Sequence, residues 1–322
     1  MQSNPTIAVL IPCFNEAVAI SKVIADFQQA LPDSQIYVYD NNSTDDTAEV
    51  ATRAGAVVRA EPLQGKGNVV RRMFAEIESD IYVLVDGDGT YEANAAERMV
   101  DQLQQQRLDM VVGTRREAEP GRVVYRSGHA WGNRAFNRVF AACFGSTFTD
   151  IFSGYRVFSR RFVKSFPALS SGFEIETEMS IHAVELRLPT MEIETQYFSR
   201  PEGSESKLNT YRDGFRILWS MLRLFKEVAP FRFFGGIALI GMLLSLLLGV
   251  PVIYEFTQTG LVPRFPTAIL ASAIMVLSGV FLLAGIIIES ISQSRLEQKR
   301  LHYLALASVR DFTTPSELPE HN

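Results

Sequence analysis

Two aspartates one residue apart end an apolar run, Ile81-Tyr82-Val83-Leu84-Val85-Asp86-Gly87-Asp88-Gly89. Aspartate and glycine are poor strand formers, so the run predicts a strand that stops at its carboxylates. Open α/β sheets bind ligands at the carboxyl ends of their strands. Two hard oxygen donors with little bulk around them suit Mg²⁺ or Mn²⁺ carrying a nucleoside diphosphate. An EF-hand is excluded, because Tyr91 stands where its turn glycine belongs. Similar polar clusters end two earlier apolar runs: Pro12-Cys13-Phe14-Asn15-Glu16 and Asp40-Asn41-Asn42-Ser43. Three such clusters on one sheet edge predict a ligand crevice. Gln64-Gly65-Lys66-Gly67-Asn68 precedes a helix, where glycines admit a close backbone approach and Lys66 can face a phosphate. It is neither a Walker A loop nor a dinucleotide fingerprint.

The elements that must position these residues follow from periodicity. Strands are predicted at Thr6–Ile11, Gln35–Tyr39, Ala56–Arg59, Ile81–Val85, Asp109–Gly113 and Met191–Phe198. Helices are predicted at Glu16–Ala30, Thr47–Ala54, Gly67–Ile77, Asn94–Gln106, Arg126–Phe144 and Glu174–Leu186. Ser153-Gly154-Tyr155 reads as a turn. Strands separated by helices of this length give an α/β class with a mostly parallel, Rossmann-like sheet.

The second half changes character. Tyr211–Val228 carries an apolar stripe at 211, 215, 218, 222 and 225, with Arg212, Arg216, Arg223 and Lys226 on other faces. Such a basic amphipathic helix reads as interfacial. Phe233–Tyr254 and Phe265–Ile288 are uncharged over about 22 and 24 residues, enough to cross a bilayer of about 30 Å. Basic flanks, Arg223, Lys226 and Arg232 before and Arg295, Lys299 and Arg300 after, predict a hairpin with both flanks cytosolic and Glu255–Arg264 as an external loop. Domains are thus expected at 1–209 (cytosolic, catalytic), 210–232 (interfacial helix), 233–288 (transmembrane hairpin) and 289–322 (cytosolic helix and tail). The expected localisation is an inner membrane or its equivalent, with no cleavable signal at the N-terminus.

Composition narrows the classes. A net charge of −5 argues against nucleic acid as a partner. Cys13 and Cys143 are the two cysteines and form no CxxC pair, so a disulfide framework or zinc site is not expected. Gly235, Gly236, Gly279 and Gly285 would permit close helix contacts, including those of a homo-oligomer.

The stretches IPCFNEA, VYDNNSTDDT, QGKGNVVR, VDGDGTYE, FSGYRVF, GFEIETEM and SRPEGSESKL, in this order, resemble family 2 glycosyltransferases of the GT-A fold. The resemblance covers residues 5–210 and is nearest to the polyprenyl-phosphate glycosyltransferases that include dolichyl-phosphate mannose synthase. It implies a nucleotide-diphosphate sugar as donor and a membrane polyprenyl phosphate as acceptor. Pro12, Phe14, Asn15 and Glu16 would line the nucleoside pocket, and Asp40 would contact the base. Asn41 stands where the family often has a second aspartate. Asp86 and Asp88, with Gly87 between them, would hold the metal on the diphosphate. Arg115, Arg200 and Lys207 would face donor or lipid phosphate, with Asp150 and Glu178 near the reaction centre. Gly89-Thr90 departs from the Leu-Gln of mannose synthases, which leaves one metal-side ligand open.

An acceptor that is already an anion needs little deprotonation. The larger tasks are joining two anions and stabilising the leaving diphosphate. A single in-line displacement would invert the anomeric centre, with Asp150 as the candidate base or orienting group. The alternatives are a polysaccharide or glycolipid synthase of the same fold, a sugar-nucleotide pyrophosphorylase, and a non-catalytic membrane-anchored nucleotide-sugar binder. The first lacks its Gln-x-x-Arg-Trp and the second its glycine-rich first loop. The intact aspartate pair argues against the third.

Overall fold

A computed structural model describes residues 5–117, 140–141, 145, 148–201, 203, 218–219 and 222–307. Lys207, most of the helix expected over Arg126–Phe144, the first half of the expected amphipathic helix and the tail after Arg310 lie outside these residues. Of those two helices, 140–141, 218–219 and 222–228 are described and helical. By internal contacts the chain forms two units, residues 1–218 with 299–322, and residues 219–298.

The first unit is built on seven strands: β1 (Ile7–Cys13), β2 (Gln35–Asp40), β3 (Val57–Ala60), β4 (Ile81–Leu84), β5 (Met110–Glu117), β6 (Arg156–Ser159) and β7 (Thr190–Tyr197). Their spatial order is β3-β2-β1-β4-β6-β5-β7. β3, β2, β1 and β4 run parallel, as do β5 and β7, while β6 is antiparallel to both its neighbours. The sheet is therefore mostly parallel, as expected. β4 is buried along its whole length, the mark of a strand covered on both faces.

Helices α1 (Ile20–Ala30), α2 (Thr47–Arg53), α3 (Lys66–Glu76), α4 (Ala95–Gln105), α5 (Arg160–Ser165) and α6 (Ile175–Glu185) connect or flank the strands. α1 buries Ile20, Val23, Ile24 and Phe27, positions spaced to share one helical face. It starts four residues later than the periodicity suggests. Asn15 has φ 54°, and Glu16 O accepts from the amides of Ala19 and Ile20, so Ala17–Ala19 form a turn that leads into the helix.

The strand β6 and helix α5 are absent from the periodicity reading. β6 opens on Arg156, and a charge there hides a strand. The guanidinium is nonetheless fully buried, donating to Ser153 O, Ile151 O and Ser180 Oγ at 2.8–3.0 Å. Burial of a charge is tolerable when its donors are satisfied in this way. Ser159 then caps α5, its Oγ accepting from Phe162 N.

The second unit holds two long helices, α7 (Pro230–Thr259) and α8 (Phe265–Leu304), whose last residues return to the first unit. Both are long and apolar enough to cross a membrane, and only 17% of each apolar window is buried, unlike the core helix of a globular domain. α7 ends at Gly260 with φ 67°, the left-handed cap that glycine favours. The acid and base of the connector, Glu255 and Arg264, pair with each other at 3.3 Å. α8 continues beyond the apolar run, which ends at Ile288, to Leu304. The close contact between the helices is at Gly241, where an added Cβ would meet Ser278 Oγ at 2.2 Å. Of the four glycines expected to serve packing, Gly285 faces Phe234, whereas Gly235, Gly236 and Gly279 face open space.

Candidate active site

The topology brings the polar clusters together. β1, β2, β4, β5 and β7 all point the same way, and β6 runs against them. Their carboxyl ends and the start of β6 therefore share one edge. Cys13 pairs with Asp40, and the Val85 amide donates to Leu10 O, so the chain leaves β1, β2 and β4 at neighbouring points. Arg115 lies at the end of β5 and Arg200 just beyond β7.

At this edge carboxylates and cations are matched. Lys66 bonds Asp86 and lies 2.6 Å from Glu176, with its side chain 9% exposed. Arg200 lies 2.6 Å from Asp88 and 3.4 Å from Glu16. Arg115 grips Asp150 with two bonds of 2.7 Å, the planar fork that suits a carboxylate. Burial pushes the carboxyl pKa of Asp88 up, with the adjacent Asp86 charge adding to it and Arg200 opposing. Burial likewise raises Glu176, against the pull of Lys66. Burial alone would lower Lys66, but Asp86 and Glu176 outweigh it, and the ammonium is held well above its ordinary value.

Neighbouring residues fix these groups. Thr90 donates to Asp88 Oδ1 from its amide at 3.1 Å and its hydroxyl at 2.6 Å. Phe198 N donates to Thr90 O, tying the aspartate loop to the segment that carries Arg200. The Arg115 guanidinium sits over the Tyr197 ring at 5.6 Å. Thr149 and Asp150 donate their amides to Glu192, which sets the Asp150 loop. Gly154 packs directly on the aspartate: a Cβ there would lie 2.5 Å from Asp86 Oδ2 and 2.9 Å from Lys66 Nζ. A Cβ at Gly87 would meet Cys13 Sγ at 2.6 Å, so this close approach needs glycine.

Several expected residues have other partners. Asn41 does not stand open to a base: its amide donates to Glu61 O and Leu63 O, and its oxygen accepts from the Gly65 amide and Gln64. It pins the loop before α3. Asp40 accepts from Ser43 N, and its Oδ1 is buried without a partner among the described residues. Asn15 accepts from Thr44 N, holding the β1 turn to the β2 turn. Pro12 lies within β1 opposite Tyr39, and Phe14 is half-buried just past the strand. Glu178 accepts the amides of Leu169 and Ser170, so it shapes the loop before α6. The glycines of Gln64–Asn68 admit a close approach of this same loop: Ser171 O accepts from Gly67 N and Asn68 N, and an added Cβ at Gly67 would meet Ser170 O at 2.2 Å. Glu176, two residues before Glu178, is the acid that reaches the site. Glu176, Thr90 and Arg156 lie within the stretches GFEIETEM, VDGDGTYE and FSGYRVF but have no expected role there, and Tyr197 lies outside all the quoted stretches.

Asp86 and Asp88 fit a divalent cation. Both are hard oxygen donors, and each already attracts a cation of the chain. Among the described residues no third His, Cys, Asp or Glu completes a metal cage with them. A two-carboxylate site whose other ligands are phosphate and water suits Mg²⁺ or Mn²⁺.

Residues 8–166 match the domain described as Glycosyl transferase family 2. Glycosyltransferase AglJ of Haloferax volcanii is 34% identical over 307 residues, covering 94% of this chain and 100% of the relative. The chain belongs to the family 2 glycosyltransferases. An undecaprenyl-phosphate mannosyltransferase of Micrococcus luteus is 24% identical over 242 residues, 67% of this chain and 97% of the relative. Among solved structures, glucosyl-3-phosphoglycerate synthase of Mycobacterium tuberculosis with Mn²⁺, UDP-glucose and phosphoglyceric acid superposes with a TM-score of 0.55 at 22% identity, covering 68% of this chain and 79% of that one. That likeness establishes the GT-A fold. The enzyme thus transfers sugar from a nucleotide sugar.

Proposed function

We propose that the enzyme transfers a sugar from a nucleotide-diphosphate sugar to a membrane polyprenyl phosphate, with inversion and with a divalent metal. The observation that carries this reading is the joining of two features in one chain. A sheet edge supplies three cation–carboxylate sets, and the same chain carries two exposed apolar helices of membrane-spanning length. The resemblance to the undecaprenyl-phosphate mannosyltransferase supports the acceptor class.

Asp86 and Asp88 would hold the metal, which when bound supplies charge to the leaving diphosphate. The orphaned Oδ1 of Asp40 suits a nucleobase N–H donor, because a buried acceptor without a partner is costly. Arg200 and Arg115 are placed to take phosphate oxygens once their carboxylates engage other charges, and the fork geometry serves both tasks. Glu16 would then face the ribose side. Asp150, relieved of Arg115, would orient the acceptor phosphate or take a proton.

The test is transfer from a panel of nucleotide sugars to undecaprenyl phosphate by purified enzyme, read as the mass of the lipid product. Product is expected with Mg²⁺ or Mn²⁺ and none with a chelator. Asp86→Asn with Asp88→Asn should lower turnover by at least about 100-fold, the scale for removing groups that stabilise developing charge. Unchanged turnover in that variant would sink the metal assignment.

A further inference from the structure

We infer that Lys66 is a resident counter-ion that occupies Asp86 until a divalent metal arrives, and that Glu176 is the carboxylate that then retains it. The inference rests on the metal reading of Asp86 and Asp88 and assigns a positioning role to two residues outside that pair.

Three observations carry it. Lys66 is nearly enclosed and lies between two carboxylates, Asp86 and Glu176, so a single ammonium serves two negative groups. Glu176 is buried, and its Oε2 has no hydrogen-bond partner among the described residues. A buried carboxylate with one vacant oxygen is costly unless a donor comes to it. Finally, the Gly154 backbone packs close against Asp86 Oδ2 and Lys66 Nζ, where an added Cβ would lie 2.5 and 2.9 Å away, so the glycine forms one wall of the ammonium's site.

The start of α3 is partly taken by the chain itself, since the amides of Gly67 and Asn68 are bonded to Ser171 O. What the lysine can do is move a short distance. With Asp86 in its grip, a cation entering alone meets a neutralised ligand and a nearby positive charge. When the ion takes Asp86, Lys66 loses that partner and can give both oxygens of Glu176 a donor. Arg200 similarly holds Asp88 and becomes available to phosphate when released. Metal and nucleoside diphosphate should therefore bind with positive coupling, and part of that coupling resides in the lysine.

The measurement is Mn²⁺ binding to the full chain in detergent, read from the electron paramagnetic resonance of the free ion. It is made without nucleotide and with UDP or GDP, against nucleotide-only blanks. In the wild type, Mn²⁺ alone should bind weakly, and one of the diphosphates should tighten it by about tenfold or more, within the usual range of coupling between sites. Lys66→Met should tighten binding of Mn²⁺ alone by about tenfold while leaving binding with diphosphate little changed, so that the diphosphate effect shrinks by about the same factor. Glu176→Gln should weaken Mn²⁺ alone several-fold, because the lysine then has only Asp86 to hold. The pair Lys66→Met with Glu176→Gln removes both charges and leaves no unpaired lysine or Glu176, so it guards against misfolding. It should tighten Mn²⁺ as the single lysine variant does. A merely structural lysine would give weaker binding or no change in both lysine variants, and that result overturns the relay. Should the wild type fail to bind Mn²⁺ with either diphosphate, the metal reading falls and the relay with it. Wild-type binding beside unresponsive variants sinks the relay alone.

Discussion

Arg115 illustrates how a residue can be both satisfied and ready to act. Its two bonds to Asp150 and its position over Tyr197 fix the plane of the guanidinium. A lysine at this position keeps the charge but loses the fork and the ring contact. Arg115→Lys should therefore lower kcat/KM by about tenfold, equivalent to about 1.4 kcal/mol of transition-state stabilisation. Steady-state kinetics on the purified enzyme checks this, and Arg115→Lys turning over like wild type would mean that charge alone suffices. The residue scale is also where sequence reading was least secure. Asp86 and Asp88 stand out because an apolar run ends on them, whereas Arg115, inside a strand that runs to Glu117, is picked out only by the family resemblance. Glu176 and Glu178 are two acids in one helical turn, and nothing in spacing says which reaches the site. The fold decides: Glu178 turns toward the amides of Leu169 and Ser170, and Glu176 toward Lys66.

At the scale of elements, the parallel strands were legible because β1, β2 and β4 are apolar runs closed by polar stops. β6 was not, because its first residue is a buried arginine whose partners come from Ile151, Ser153 and Ser180, none visible as a local pattern. The glycines of Gln64–Asn68 were legible as a close approach but not as an approach of the 170–171 backbone. Packing of α6 on α5 yields a pH prediction. His182 is buried against the rings of Phe162 and Phe166, with Ser165 Oγ 3.3 Å from its Nε2. Burial, with Lys299 adding, pushes its pKa down to about 3. The unfolded chain takes up that proton near pH 6.5, so the stability is whole above about pH 6.5 and is lost progressively as pH falls toward 3. The loss at pH 5 should be about 2 kcal/mol. Thermal unfolding of His182→Leu between pH 7 and pH 5 should show a flatter decline than the wild type. Parallel declines in the two proteins would count against this imidazole as the cause.

At the scale of the whole molecule, the two units answer two halves of one problem. On the proposed function, the sheet edge of the first would hold the donor, and the apolar helices of the second would suit the medium of a lipid acceptor. The last turn of α8 belongs to the first unit: Tyr303 donates to Asp109 Oδ2 at 2.6 Å, Arg161 lies 4.2 Å over the Tyr303 ring, and Lys299 pairs with Glu185. α8 thus starts in the second unit and its last residues, from Lys299, belong to the first. In sequence, basic residues flank the apolar pair, Arg223, Lys226 and Arg232 before it and Arg295, Lys299 and Arg300 after, whereas the 260–264 turn carries a single arginine paired with Glu255. By the positive-inside rule the turn should face away from the cytosol and the catalytic domain toward it. A phosphatase reporter fused at Thr259 should be active outside the membrane, and a cytosol-specific reporter fused after Leu304 should be active within. Cytosolic signals at both positions would mean that the helices do not span as a hairpin. The polyprenyl phosphate would then have to reach the site by another route.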